Sequence, residues 1–103
     1  MDVRHLTTMA LAVVSAAGCT YLTPRENFET GRNAELGRHI DNLGPGARLG
    51  SQTRTLANGH REYTYDFSNH LGPCVFVREV DGTTNRIVAW RIEGDDRGCQ
   101  VPP

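Results

Sequence analysis

The chain has 103 residues, with eleven cationic and twelve acidic side chains, a formal charge of −1, 38% hydrophobic and 22% charged residues. That balance excludes a basic nucleic-acid binder, an acidic disordered tail and a multispan membrane protein, and the length allows one domain. Every cation is arginine, so Schiff-base lysine chemistry and Walker-type phosphate binding are excluded as well.

Residues 1–18 have the organisation of an export signal. A short n-region, Met1-Asp2-Val3-Arg4-His5, leads into the apolar stretch Leu6 to Ala17, which fits a signal h-region of roughly 7–15 residues and is too short to span a bilayer, where about 20 are needed. The stretch ends Ser15-Ala16-Ala17-Gly18-Cys19. Here the chain resembles a bacterial lipoprotein signal, in which a small pair precedes the acylated cysteine. That resemblance implies cleavage before Cys19 and a lipid anchor on it. Ordinary signal-peptidase cleavage after Ala17, with Ser15 and Ala17 as the small residues, is the competing reading. The chain then divides into a signal over 1–18, a lipidated tether with a short helical turn over 19–30, and a small domain over 31–103.

Thr23-Pro24-Arg25-Glu26 has the form of a helix start, with an N-cap Thr, Pro at the first helical position and Glu closing a capping box. Gly31 limits this helix to about a turn, with Phe28 as its apolar anchor. A second start at Asn33 places Leu36, Ile40 and Leu43 on one face, so a helix is expected over Ala34 to Leu43, ended by Gly44-Pro45-Gly46. Ten residues do not make a stable isolated helix, and the stripe must dock on a sheet.

From Arg48 onward the period falls to two. Gln52 to Ala57 and His60 to Phe67 flank Asn58-Gly59, a hairpin signal that predicts a type I′ turn. Tyr63, Tyr65 and Phe67 share one face, and Glu62, Thr64 and Asp66 the other, the pattern of a sheet covered on one side. Ser68 to Pro73 reads as a loop. Cys74 to Val80 and Arg86 to Glu93 form a second hairpin around Asp81-Gly82-Thr83-Thr84-Asn85. Pairing Val80 with Arg86 puts Phe76 opposite Trp90 and Cys74 opposite Ile92. The expected fold is α+β, with one or two short N-terminal helices packed on one face of a three- to four-stranded antiparallel β-meander.

Three cysteines in an exported chain leave one over. With Cys19 acylated, Cys74 and Cys99 remain as a disulfide pair, and Gly94 and Gly98 let the tail fold back to close it. Free buried thiols are the other possibility. Zinc needs close pairs, and His39, His60 and His70 stand too far apart in sequence to supply them.

The folded part also resembles the small outer-membrane lipoproteins of the SmpA/OmlA (BamE-like) type. The resemblance rests on Gly31, Leu43-Gly44-Pro45, Tyr63-x-Tyr65 and the Gly82 turn leading to Ile87-Val88-Ala89-Trp90. It covers about residues 31–93, and the Cys74/Cys99 pair fits a disulfide-bearing subset of such proteins. It implies a non-enzymatic envelope lipoprotein, anchored by lipid on the periplasmic side of the outer membrane, with envelope proteins as partners. Thr20 after the acylated cysteine, in place of the Asp that retains enteric lipoproteins in the inner membrane, points the same way.

Catalytic constellations are not expected. Ser51 and Ser68 lie outside any G-x-S-x-G elbow, and Ser68-Asn69-His70 reads as turn-forming residues. Glu62 and Asp66 stand about 13 Å apart along a strand, too far for a glycosidase pair. Asp95-Asp96 reads as a solvated turn rather than a calcium site. No cofactor, metal, nucleic acid or small-molecule substrate is expected. Tyr63, Tyr65 and Trp90 are the candidate partner surface, because aromatics with polar edges anchor interfaces, although a small core also needs them. The alternative function is a secreted or periplasmic inhibitor that blocks a hydrolase with the Ser68 to Pro73 loop.

Overall fold

Thr23 starts the first element as the sequence requires. In a computed structural model, which describes residues 22–49 and 52–102, its hydroxyl accepts from the Glu26 N–H (3.1 Å) while Glu26 accepts from the Thr23 N–H (3.2 Å). Helix α1 runs Pro24–Ala34 from this reciprocal cap. The signal segment and Cys19 lie outside the described residues.

The helix does not stop at Gly31. It passes through that residue and joins the expected tether to the domain, with Phe28 only 3% exposed in the core. The second helix expected over 34–43 is replaced by two 3-10 turns, Ile40–Leu43 and Pro45–Ala47. The cause is Gly37, whose φ of +86° breaks the helical path. Beyond it the chain lies along the sheet edge, where the Gly37 N–H donates to Ile87 O (2.8 Å) and the Ile87 N–H to Arg38 O (2.9 Å). Ile40 is fully buried as a result, whereas Leu36 is 44% exposed.

Four strands form one antiparallel sheet in the order β1 (Gln52–Thr55), β2 (Arg61–Asp66), β3 (Val75–Val80) and β4 (Ile87–Glu93). The meander follows the sequence expectation, but two local details differ. Asn58 is not in the left-handed region and Gly59 alone is, at φ +87°. The Leu56 carbonyl accepts from the Gly59 N–H, and the Leu56 N–H donates to His60 O. This is a three-residue loop in which the glycine supplies the left-handed step, instead of a type I′ turn. In the second hairpin a register shift at Glu79/Val80 pairs Val80 with Ile87, so Phe76 faces Ile92 and Arg78 faces Trp90.

The core lies between α1 and one sheet face. Phe28 meets the edge of Phe76 at 5.5 Å and of Trp90 at 6.2 Å, and Tyr65 stacks on Phe76 at 5.0 Å. Ile40, Ala47, Tyr63, Val80 and Ile87 pack into the same cluster. Cys74 and Cys99 are bonded and fully buried, with Cα atoms 4.9 Å apart. Downstream of Cys99 the chain returns to α1, where the Val101 N–H donates to Pro24 O.

Candidate functional site

The helix-facing side carries a cluster that sequence spacing does not reveal. Glu35 caps the end of α1 and Arg78 sits in the middle of β3, yet their side chains meet along two bonds, Nε to Oε1 (2.8 Å) and Nη2 to Oε2 (2.9 Å). Arg32, one helical turn before Glu35, adds a third bond, Nη2 to Oε2 (2.9 Å). Both guanidinium groups lie over aromatic rings: Arg78 is 4.6 Å from the Tyr65 centroid, and Arg32 is 5.1 Å from that of Phe28. Burial opposes the charge on Arg78, but its bonds with Glu35 and Tyr65 outweigh it and raise the guanidinium above its ordinary value.

Two grooves meet over this cluster. One, of about 530 Å³, is lined by Arg32, Glu35, Arg38, Tyr65, Phe67 and Arg78 among others. The second, of about 480 Å³, is more apolar and is walled by Phe28, Phe67, Cys74 and Val101. Arg32 and Phe67 line both. Phe67, expected on the buried face, is 49% exposed at this junction, with its ring against Phe76 at 4.9 Å.

On the opposite sheet face Glu62, expected to be wet, is 6% exposed. It accepts from Arg91 (2.5 Å) and Arg54 (2.6 Å), whose long side chains reach it from two other strands. Bonding from Arg91 first, then Arg54, holds its carboxyl below the usual range despite the burial. It therefore stays ionised near neutrality and orients two arginines.

The candidate partner residues fall in different places. Tyr63 and Tyr65 are buried at 5% and 4%, which assigns them to the core, and the Tyr65 hydroxyl donates to the Ala47 carbonyl. Trp90 is half-buried, and its indole N–H donates to Asn33 Oδ1 (2.9 Å), fastening α1 to β4. The Ser68 to Pro73 loop is braced: Asn69 pairs with Gly72 and donates from Nδ2 to Gly98 O (2.9 Å), and the Ser68 hydroxyl accepts from the Cys74 N–H. His60 Nδ1 lies 2.6 Å from Glu79. Among the described residues no group of three or more His, Cys, Asp or Glu side chains gathers to hold a metal ion, and no helix is long and apolar enough to cross a membrane.

No protein-family model matches the chain, and no match was found among curated proteins or solved structures.

Proposed function

We infer that the protein is a non-enzymatic binding or scaffolding module of the bacterial cell envelope, anchored through a lipid on Cys19 at the periplasmic side of the outer membrane. The observation that carries this reading is the Cys74–Cys99 bond. A buried disulfide suits an exported protein, and it leaves Cys19 as the odd cysteine, at the end of a stretch resembling a lipoprotein signal. The helix-side grooves support a binding role, since they join an apolar wall to fixed cations. The likeness to SmpA/OmlA-type lipoproteins is consistent with it. Cys19→Ser tests the anchor. The variant should leave the membrane fraction or accumulate as the uncut precursor, and normal processing with membrane retention would refute lipidation.

The braced 68–73 loop favours one second reading, a hydrolase inhibitor. Its tip residue Leu71 is 46% exposed while the flanking Asn69 and Ser68 side chains are tied to Gly98 O and the Cys74 N–H, the rigid presentation that an inhibitory loop uses. Pull-down from envelope extract separates the two. Recovery of outer-membrane or cell-wall proteins supports the scaffold, whereas stoichiometric capture and inhibition of a hydrolase supports the inhibitor.

A further inference from the structure

We propose that the paired grooves over Arg32 bind the carboxyl end of a polypeptide whose last residue is apolar, with the terminal carboxylate on Arg32 and Arg38 and the last side chain between Phe28 and Phe67. This deepens the binding-module reading and rests on it, but it does not depend on the compartment.

Charge in the larger groove favours an anion. The 530 Å³ groove is lined by three arginines and one carboxylate, Glu35. Glu35 is already shared by two of them, so the Arg32–Glu35–Arg78 cluster carries a net positive charge against aromatic rings. Partly desolvated charge of that kind favours an incoming anion. Arg32 is also under-used: its Nη2 bonds to Glu35, while its Nε is shielded from water and has no hydrogen-bond partner among the described residues. Its guanidinium borders both grooves, so the planar fork that arginine offers a carboxylate stands at their junction. Arg38, exposed at the groove rim with its Nη2 donating to Asn42 O, adds a second cation.

Shape narrows that anion to a chain end. The apolar groove begins on the other side of Arg32 and Phe67, the two residues that line both spaces. A carboxylate and an apolar side chain must therefore be attached close together to fill both. A C-terminal residue carries them on a single Cα, whereas an internal acidic residue places its carboxylate and a neighbouring apolar group farther apart. Capture of a terminal carboxylate is a recurring mode of peptide recognition.

The test uses the full chain, the probe N-acetyl-Gly-Gly-Phe with a free carboxyl end, and the same peptide as its C-terminal amide, with binding followed by NMR shifts. The free acid should bind at least tenfold more tightly than the amide, and Arg32→Gln should abolish that difference. Should Arg32→Gln fail to fold, Arg38→Gln serves, with a several-fold loss for the acid alone. Arg54→Gln, on the opposite sheet face, should change nothing. Equal binding of acid and amide, or no binding of either, would overturn the proposal. So would 4-phenylbutyrate binding as tightly as the peptide, which would make the site one for free acids. Failure here leaves the fractionation result for Cys19 standing, and the reverse also holds.

Discussion

Glu35 and Arg78 are 43 residues apart and form a buried, two-pronged ion pair that fastens the end of α1 to the middle of the sheet. The side chains are 10% and 8% exposed, so neither charge can exchange its partner for water. Removing one partner from such a pair typically costs about 3–5 kcal/mol, because the other charge stays buried and unmatched. Glu35→Ala also leaves Arg32 and Arg78 facing each other. Urea unfolding of this variant should show a loss in that range. Glu35→Leu combined with Arg78→Met should recover most of it, which distinguishes the stranded charge from lost packing.

Gly98 and Gly82 sit against backbone, whereas Gly31 does not. A Cβ on Gly98 would lie 2.1 Å from Gly72 O, and one on Gly82 would lie 2.0 Å from Gly59 O. Alanine at either position must push two loops apart, at a cost of about 1–3 kcal/mol by analogy with overpacking. Gly31, inside α1, has nothing within 4 Å of its Cβ position. Gly31→Ala should stabilise the protein by about 0.5–1 kcal/mol, since glycine weakens a helix by that amount relative to alanine. Thermal melts of the three variants check the contrast in sign.

Acid should weaken the fold from about pH 4 downward. Asp81 is held below the usual carboxyl range by the Thr84 and Thr83 backbone N–H groups, Asp95 by that of Arg97, and Asp66 by the Ser68 hydroxyl and N–H. Glu62 is lowered by its arginines. In each case the unfolded chain binds a proton more readily than the folded one. Their stabilisation is therefore present above the unfolded carboxyl value and lost as pH falls through the folded one. Melting temperature should be flat from pH 7 to 5 and decline below pH 4, with a shallower decline in Asp81→Asn.

The period-two pattern with Asn58-Gly59 was enough to place the meander, because strand alternation and turn chemistry are local signals. The helix boundaries were not. Gly31 reads as a stop but sits inside α1, where the cap at Thr23 and the burial of Phe28 outweigh the weak propensity of one glycine. The Leu36, Ile40 and Leu43 stripe has helical spacing, yet Gly37 and the hydrogen bonds to Ile87 draw that segment to the sheet edge. Glu35, Arg32 and Arg78 gave no motif, since their meeting depends on how α1 lies across the strands. The buried Glu62 was missed for the same reason: Arg54 and Arg91 reach it from two other strands.

The disulfide supports the second groove as well as the fold. It joins positions 25 apart, and closing a loop of that size stabilises by roughly 3 kcal/mol in the chain-entropy model. Replacing Cys74 and Cys99 by Ser should lower the melting temperature by ten degrees or more, at about 4–8 °C per kcal/mol for a small domain. It should also weaken binding in the groove that Cys74 walls.

The claim that the chain is a lipid-anchored, disulfide-stapled module is tested most directly by the intact mass of protein extracted from the membranes of an expressing bacterium. The expected chain begins at Cys19, carries the added mass of its acyl groups, and has no titratable thiol after unfolding without reduction. A chain that begins at Gly18 without added mass, or one that keeps residues 1–18, would contradict the anchor, and two titratable thiols would contradict the bond between Cys74 and Cys99.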